Sequence, residues 1–181
     1  MTGDDLVVRQ WAAPRRAVCL LLDHSGSMRG DAVARSAVAA AAVVLATSER
    51  AACSEFAFAA YVRPVVRIGQ PRPPAAVVND LVALRGGGTT DLAAALRASS
   101  RELAAAPADE RIVVLLSDCA ATVGDDPLDA LGGIDRLHIV SPGGEREDST
   151  SALALAERSH GRLVRCTTVA ALPRVLTELL A

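Results

Sequence analysis

The 181-residue chain reads as an α/β protein of the doubly wound, Rossmann-like type, with a mostly parallel central sheet, one antiparallel edge strand and helices on both faces. Three observations lead there. Uninterrupted apolar runs such as Ala17–Leu22 and Ile112–Leu116 are the pattern of strands buried on both sides. They alternate with stretches of helical periodicity almost throughout. Half of the residues are hydrophobic (51%), yet there are only one Trp, one Tyr and two Phe. The core is therefore built from Ala, Val and Leu, which suits helices packed closely on a sheet.

In chain order, Leu6–Trp11 reads as a short strand and Ala17–Leu22 as a fully buried one. Gly30 and Asp31 open a long helix through about Thr47, apolar on most of its surface. Ser54–Phe58 and Val62–Val66 are close enough to form an antiparallel hairpin at one edge. Pro71-Arg72-Pro73-Pro74 breaks the chain before a helix over Ala75–Ala83. Gly86-Gly87-Gly88 then feeds a helix from Asp91, with Leu92, Ala95, Leu96, Ser99 and Leu103 on one face. Ile112–Leu116 is a second buried strand with a polar end, Ser117-Asp118. A short helix over Pro127–Leu131, a strand Leu137–Val140, a helix Ser149–Ser159 and a strand Leu163–Cys166 follow. Pro173 falls in the first turn of the last helix, where its missing N–H costs nothing. No repeat or linker interrupts this order, so a single domain over residues 1–181 is expected.

Composition excludes several functions. A net charge of −2 leaves no nucleic-acid footprint. All 19 basic residues are Arg, and without Lys there is neither a phosphate-binding P-loop nor a Schiff-base lysine. Cys19, Cys53, Cys119 and Cys166 form no Cys-x-x-Cys pair and lie mostly within or beside apolar runs, as reduced core residues do. Met1–Asp5 does not read as a signal peptide, and no apolar stretch, the Ala37–Ala46 run included, reaches membrane-spanning length. The expectation is a cytoplasmic protein with neither a nucleic-acid nor a membrane partner.

The chemistry concentrates in three segments, each at a strand-to-helix loop. Asp23-His24-Ser25-Gly26-Ser27 follows the first buried strand, Thr89-Thr90-Asp91 follows the glycines, and Ser117-Asp118 ends the second buried strand. Ligands of open α/β sheets bind beyond the carboxyl ends of strands at the topological switch point. If the strands before Asp23 and Asp118 are neighbours, both acids reach one crevice. Together the segments offer carboxylates and hydroxyls only, a set suited to Mg²⁺, Mn²⁺ or Ca²⁺ and unsuited to zinc. Taken singly, each segment reads as a turn or a helix cap. Their convergence is what argues for a cation.

These segments resemble the metal-ion-dependent adhesion site of von Willebrand factor type A domains, with Asp-x-Ser-x-Ser, a Thr in a glycine-rich loop and an Asp after a later buried strand. The resemblance runs from about Val7 to the C-terminus. It implies that Ser25, Ser27 and Thr90 bind the metal through their hydroxyls, and that Asp23 and Asp118 hold it largely through water. It also implies that a partner protein supplies a Glu or Asp to the vacant position. The family usually has Gly where this chain has Cys119, so the loop there is expected to differ in shape. His24 stands where many relatives carry an apolar or small residue, and strand alternation points it away from the ligand face.

Within the family, the length, the intracellular look and the leading strand Asp5–Arg9 before Asp23 look like the C-terminal domain of magnesium chelatase D subunits and like bacterial partners of MoxR-type AAA+ ATPases. That implies an adaptor or co-chaperone rather than an enzyme. The alternative is a divalent-metal-dependent hydrolase or phosphatase using Asp23 as nucleophile. It lacks a second acid at position 25, which is Ser, and a His placed as general base. His138 and His160 read as structural, and the acidic stretch Glu145–Asp148 as a solvated turn.

Overall fold

The computed structural model describes residues 15–28, 51–84, 86–142 and 149–180. The expected strand Leu6–Trp11, the helix to Thr47 and the acidic turn Glu145–Asp148 lie outside these residues, as does the side chain of Ser27.

Six strands form one sheet: β1 (Arg16–Asp23), β2 (Ala51–Phe58), β3 (Val62–Val66), β4 (Glu110–Leu116), β5 (Arg136–Ser141) and β6 (Leu163–Arg165). Their order is β3-β2-β1-β4-β5-β6, with β3 antiparallel to β2 and every other pairing parallel. The fold class expected from the sequence is the one observed. From β1 the sheet grows through β2 on one side and β4 on the other, so the switch point lies between β1 and β4. The neighbour relation that brings Asp23 and Asp118 to one crevice therefore holds.

Alternation along the strands builds two cores. Cys19, Leu21, Val113 and Leu115 face helices α2 (Leu92–Ala104) and α3 (Ser149–Arg158), through Leu92, Leu96, Leu103, Ala152 and Leu155. Val18, Leu20, Leu22 and Val114 face helices α1 (Pro74–Val82) and α4 (Leu172–Leu180), through Val77, Leu81, Leu172, Leu176 and Leu179. Burying each such leucine contributes roughly 1.5–3 kcal/mol, and β1 carries only apolar residues between Arg16 and Asp23.

The apolar face read for α2 is buried at all five expected positions, Ser99 included, whose hydroxyl donates to the Leu96 carbonyl at 2.9 Å. Asp91 caps α2, its Oδ1 accepting the Ala94 N–H at 2.9 Å. Boundaries shift where tertiary pairing decides them. β2 begins at Ala51 rather than Ser54, because its parallel ladder matches β1 from Arg16↔Ala51 to Asp23↔Phe58. The Pro127 segment is a 3₁₀ turn, Pro127–Ala130, opened by Asp126.

Candidate metal centre

β1 ends on Asp23, which is fully buried, and the chain turns at once into the 3₁₀ turn Gly26–Met28. Asp23 Oδ1 accepts the Ser25 N–H at 2.8 Å, closing a local turn. Its Oδ2 accepts the Ser117 hydroxyl at 2.6 Å, a charge-assisted bond across the switch point from the end of β4. The Ser117 hydroxyl in turn accepts the Cys119 N–H at 2.9 Å. Asp118 is 5% exposed and its Oδ1 accepts the Ala120 N–H at 3.1 Å.

The glycine-rich loop is stitched to the first segment by backbone bonds. Gly26 N–H donates to the Gly88 carbonyl at 3.2 Å, and Gly87 N–H to the His24 carbonyl at 3.0 Å. Gly88 has φ +82°, a left-handed conformation that admits glycine without strain. Thr90 is buried and Thr89 exposed. The Thr90 N–H donates to the Thr122 hydroxyl at 2.8 Å, and the Thr90 carbonyl accepts the Thr122 N–H at 3.0 Å. The loop after β4 therefore joins the head of α2. Gly124, at φ +91°, lets this loop lie against the Asp91 carboxylate, where a Cβ would come within 2.4 Å of Oδ1. Three loops thus close into one ring.

Asp23, Ser25, Thr90 and Asp118 are brought together at the switch point and are all buried. Ser27 follows Ser25 in the same turn. Sequence reading placed Ser117 in the third segment without a role, and it gave none to Thr122. Their contacts cross between loops, and no local pattern signals such contacts.

Burial pushes the Asp23 carboxyl above its ordinary pKa, against the hydrogen bonds of Ser117 and Ser25, and the negative Asp118 adds to the upward push. Among the described residues, no basic side chain forms an ion pair with Asp23 or Asp118. Two buried acids without a counter-charge among the described residues are costly, and a hard cation is the partner such oxygens take. The donors present fit that class of ion. No group of three or more His, Cys, Asp or Glu gathers among the described residues, and the other oxygen donors there are the hydroxyls of Ser25, Thr90 and Ser117.

Cys119 adopts φ +58°, left-handed for a non-glycine residue. The backbone there takes a conformation that a glycine would adopt freely.

An open, mostly parallel sheet flanked by helices, with carboxylates and hydroxyls at its switch point, defines an α/β domain of the doubly wound class. The sequence profile of the von Willebrand factor type A domain matches residues 18–121, and the chain belongs to that family. No curated protein sequence matches the chain. Among solved structures it is similar to an aerotolerance-related membrane protein from Bacteroides fragilis (TM-score 0.71, 15% identity), over 92% of this chain and 98% of that one. BatB from Bacteroides thetaiotaomicron aligns over 92% of this chain and 97% of its own (TM-score 0.66, 15% identity). A von Willebrand factor type A protein from Catenulispora acidiphila aligns over 92% of this chain and 42% of its own (TM-score 0.71, 20% identity). The chain thus spans less than half of that last protein. Among the described residues, no helix is long and apolar enough to cross a membrane.

Proposed function

We propose that the chain is a non-enzymatic, metal-dependent protein-binding module. Ser25, Ser27 and Thr90 hold Mg²⁺, or Mn²⁺ or Ca²⁺ in its place, through their hydroxyls, while Asp23 and Asp118 hold it largely through water. When bound, the ion supplies positive charge and a site for a Glu or Asp of the partner. The protein's own residues do the positioning. Ser117 orients the Asp23 carboxylate, Thr122 fixes the Thr90 backbone, and Gly88 and Gly124 let the three loops close. The observation that carries this reading is the pair of buried acids at one switch point, ringed by hydroxyls and lacking an ion-pair partner among the described residues. Both Asp23 oxygens already accept hydrogen bonds, which favours a holding role over that of a nucleophile. In the family context set out above, the partner is a MoxR-type AAA+ ATPase or its target, and the module is its adaptor.

Calorimetric titration with MgCl₂, MnCl₂ and CaCl₂ tests the centre. Binding is expected for the wild type and lost in Asp23→Ala and Ser25→Ala with the far-ultraviolet spectrum unchanged. No heat with any of the three ions would overturn the assignment. Asp23→Asn keeps the shape and removes the buried charge, so it should melt higher than the wild type in EDTA while losing the stabilisation that added Mg²⁺ gives. Affinity capture with and without EDTA tests the partner, the ATPase being retained only when metal is present.

A further inference from the structure

A trough runs along the outer side of α2 beside the edge strand β3, about 420 Å³ in volume. Its floor and strand wall are Phe56, Val62 and Pro64, and its charged wall is Arg67, Arg97 and Arg101. On α2 the lining positions Ala94, Arg97, Ala98 and Arg101 fall at helical spacing, and the two alanines leave the space open.

The three arginines are not equivalent. Arg67 lies 5.8 Å over the Phe56 ring and pairs at 2.9 Å with Glu102, whose side chain is only 9% exposed. That pair is part of the wall. Arg97 pairs at 2.8 Å with Asp125, but the Asp125 side chain is 70% exposed, so water competes with the contact. Arg101 is exposed and forms no ion pair among the described residues. Two guanidiniums four residues apart on one helix repel each other, and the exposed Asp125 offsets only Arg97, which leaves the pair open to a further acid.

We infer that this trough binds an extended acidic segment of a partner protein in which acidic and apolar residues alternate. Four residues of helix separate Arg97 from Arg101 by about 6 Å along the axis. Two acids separated by one residue in an extended chain stand about 6.6 Å apart on the same side. Each carboxylate meets one guanidinium, in the planar geometry arginine favours. The apolar residue between them turns to the opposite side, toward Val62 and Pro64. Strand addition is not the mode of binding, because Pro64 removes a ladder donor from the edge and a bulge interrupts the β2–β3 register between Glu55 and Phe56. Asp125 serves as a resident acid that the segment displaces from Arg97. The inference does not depend on a bound metal.

The test is fluorescence anisotropy with a labelled peptide Gly-Glu-Leu-Glu-Leu-Glu-Gly at low salt in EDTA, which removes any metal contribution. Saturable binding is expected, weakened at least about tenfold by Arg97→Glu with Arg101→Glu. Arg63→Glu, an exposed change on β3 outside the trough lining, should have a much smaller effect. Asp125→Ala should tighten binding by a few-fold. No saturable binding up to millimolar peptide, equal binding of a Lys-for-Glu peptide, or binding that survives the double reversal would each overturn the inference. So would competition by micromolar inorganic phosphate, which would mark a small-anion site. Loss of metal binding in Asp23→Ala leaves this assay unaffected, so the two readings fail separately.

Discussion

Glu55 offers the sharpest test of the energetics. It lies inside β2, opposite Leu20 of β1 and Val66 of β3, on the face it shares with Cys53 and Ala57. The side chain is fully buried, and neither carboxylate oxygen has a hydrogen-bond partner among the described residues. Burial pushes its pKa from 4.5 to about 8. The native state therefore holds a proton that the unfolded chain gives up above pH 4.5. A raised folded pKa means that the associated stability is fully present below the unfolded value and is lost as pH rises through the folded one. At about 1.4 kcal/mol per pH unit, the 3.5 units between the two values set an upper limit of about 5 kcal/mol. That is a large part of the 5–15 kcal/mol typical of a folded domain, roughly speaking. The assay is urea unfolding followed by circular dichroism at half-unit steps from pH 5 to 9, on the wild type and on Glu55→Gln. The wild type should lose several kcal/mol relative to the variant across that range, with most of the loss complete near pH 8. Asp23 shifts in the same direction, but it is present in both proteins and drops out of the difference. Parallel stability curves for the two proteins would refute the reasoning and show that Glu55 finds water or a partner when it ionises.

Two further outcomes concern the ring of loops. Cys119→Val keeps a side chain of similar size but places a β-branched residue at φ +58°, so it should cost about 2 kcal/mol or more in urea unfolding, against about 1 kcal/mol for Cys119→Ala. Gly124→Ala combines a left-handed backbone with a Cβ placed 2.4 Å from the Asp91 carboxylate. It should cost more than the roughly 1 kcal/mol of the Asp91→Ala cap loss and should weaken Mg²⁺ affinity in calorimetry by displacing the Thr90 loop.

Much of this was legible because burial writes itself into periodicity. The runs Ala17–Leu22 and Ile112–Leu116 carry no polar residue because both faces are covered, and their polar ends meet at one switch point once β1 and β4 are neighbours. The five-residue face of α2 was readable for the same reason. What local pattern could not give is who answers whom across loops. Ser117 and Thr122 look like ordinary turn residues until β4 is placed beside β1. Thr89, Thr90 and Asp91 are all plausible caps in sequence, and only the Asp91–Ala94 contact selects one. Glu55 was given no role by the sequence; β2 is flanked by β1 and β3, and the carboxylate is enclosed.

Several costly features gather at the ring of loops, although Glu55 in β2 and His160, at φ +53°, lie outside it. A buried acid with an upward-shifted pKa, a non-glycine residue at positive φ and a glycine pressed against a carboxylate all lie within the ring formed by the β1, glycine-rich and β4 loops. Each lowers stability, and each holds an oxygen or a backbone segment where the domain would relax without it. The same ring continues outward. The loop that carries Thr122 to Thr90 also carries Gly124 to Asp91 and, one residue on, Asp125 to Arg97. A partner acid that draws Arg97 away from Asp125 therefore acts on the loop that positions Thr90. Mechanical continuity of this kind predicts a coupling, and by linkage the coupling must be reciprocal. Mg²⁺ should change the affinity for the acidic peptide by the same factor by which the peptide changes the affinity for Mg²⁺. Titrating each in the presence of a saturating amount of the other measures both factors. Unequal factors would mean that the two titrations do not report one pair of sites, and equal factors of one would mean that the loop is too rigid to carry the signal.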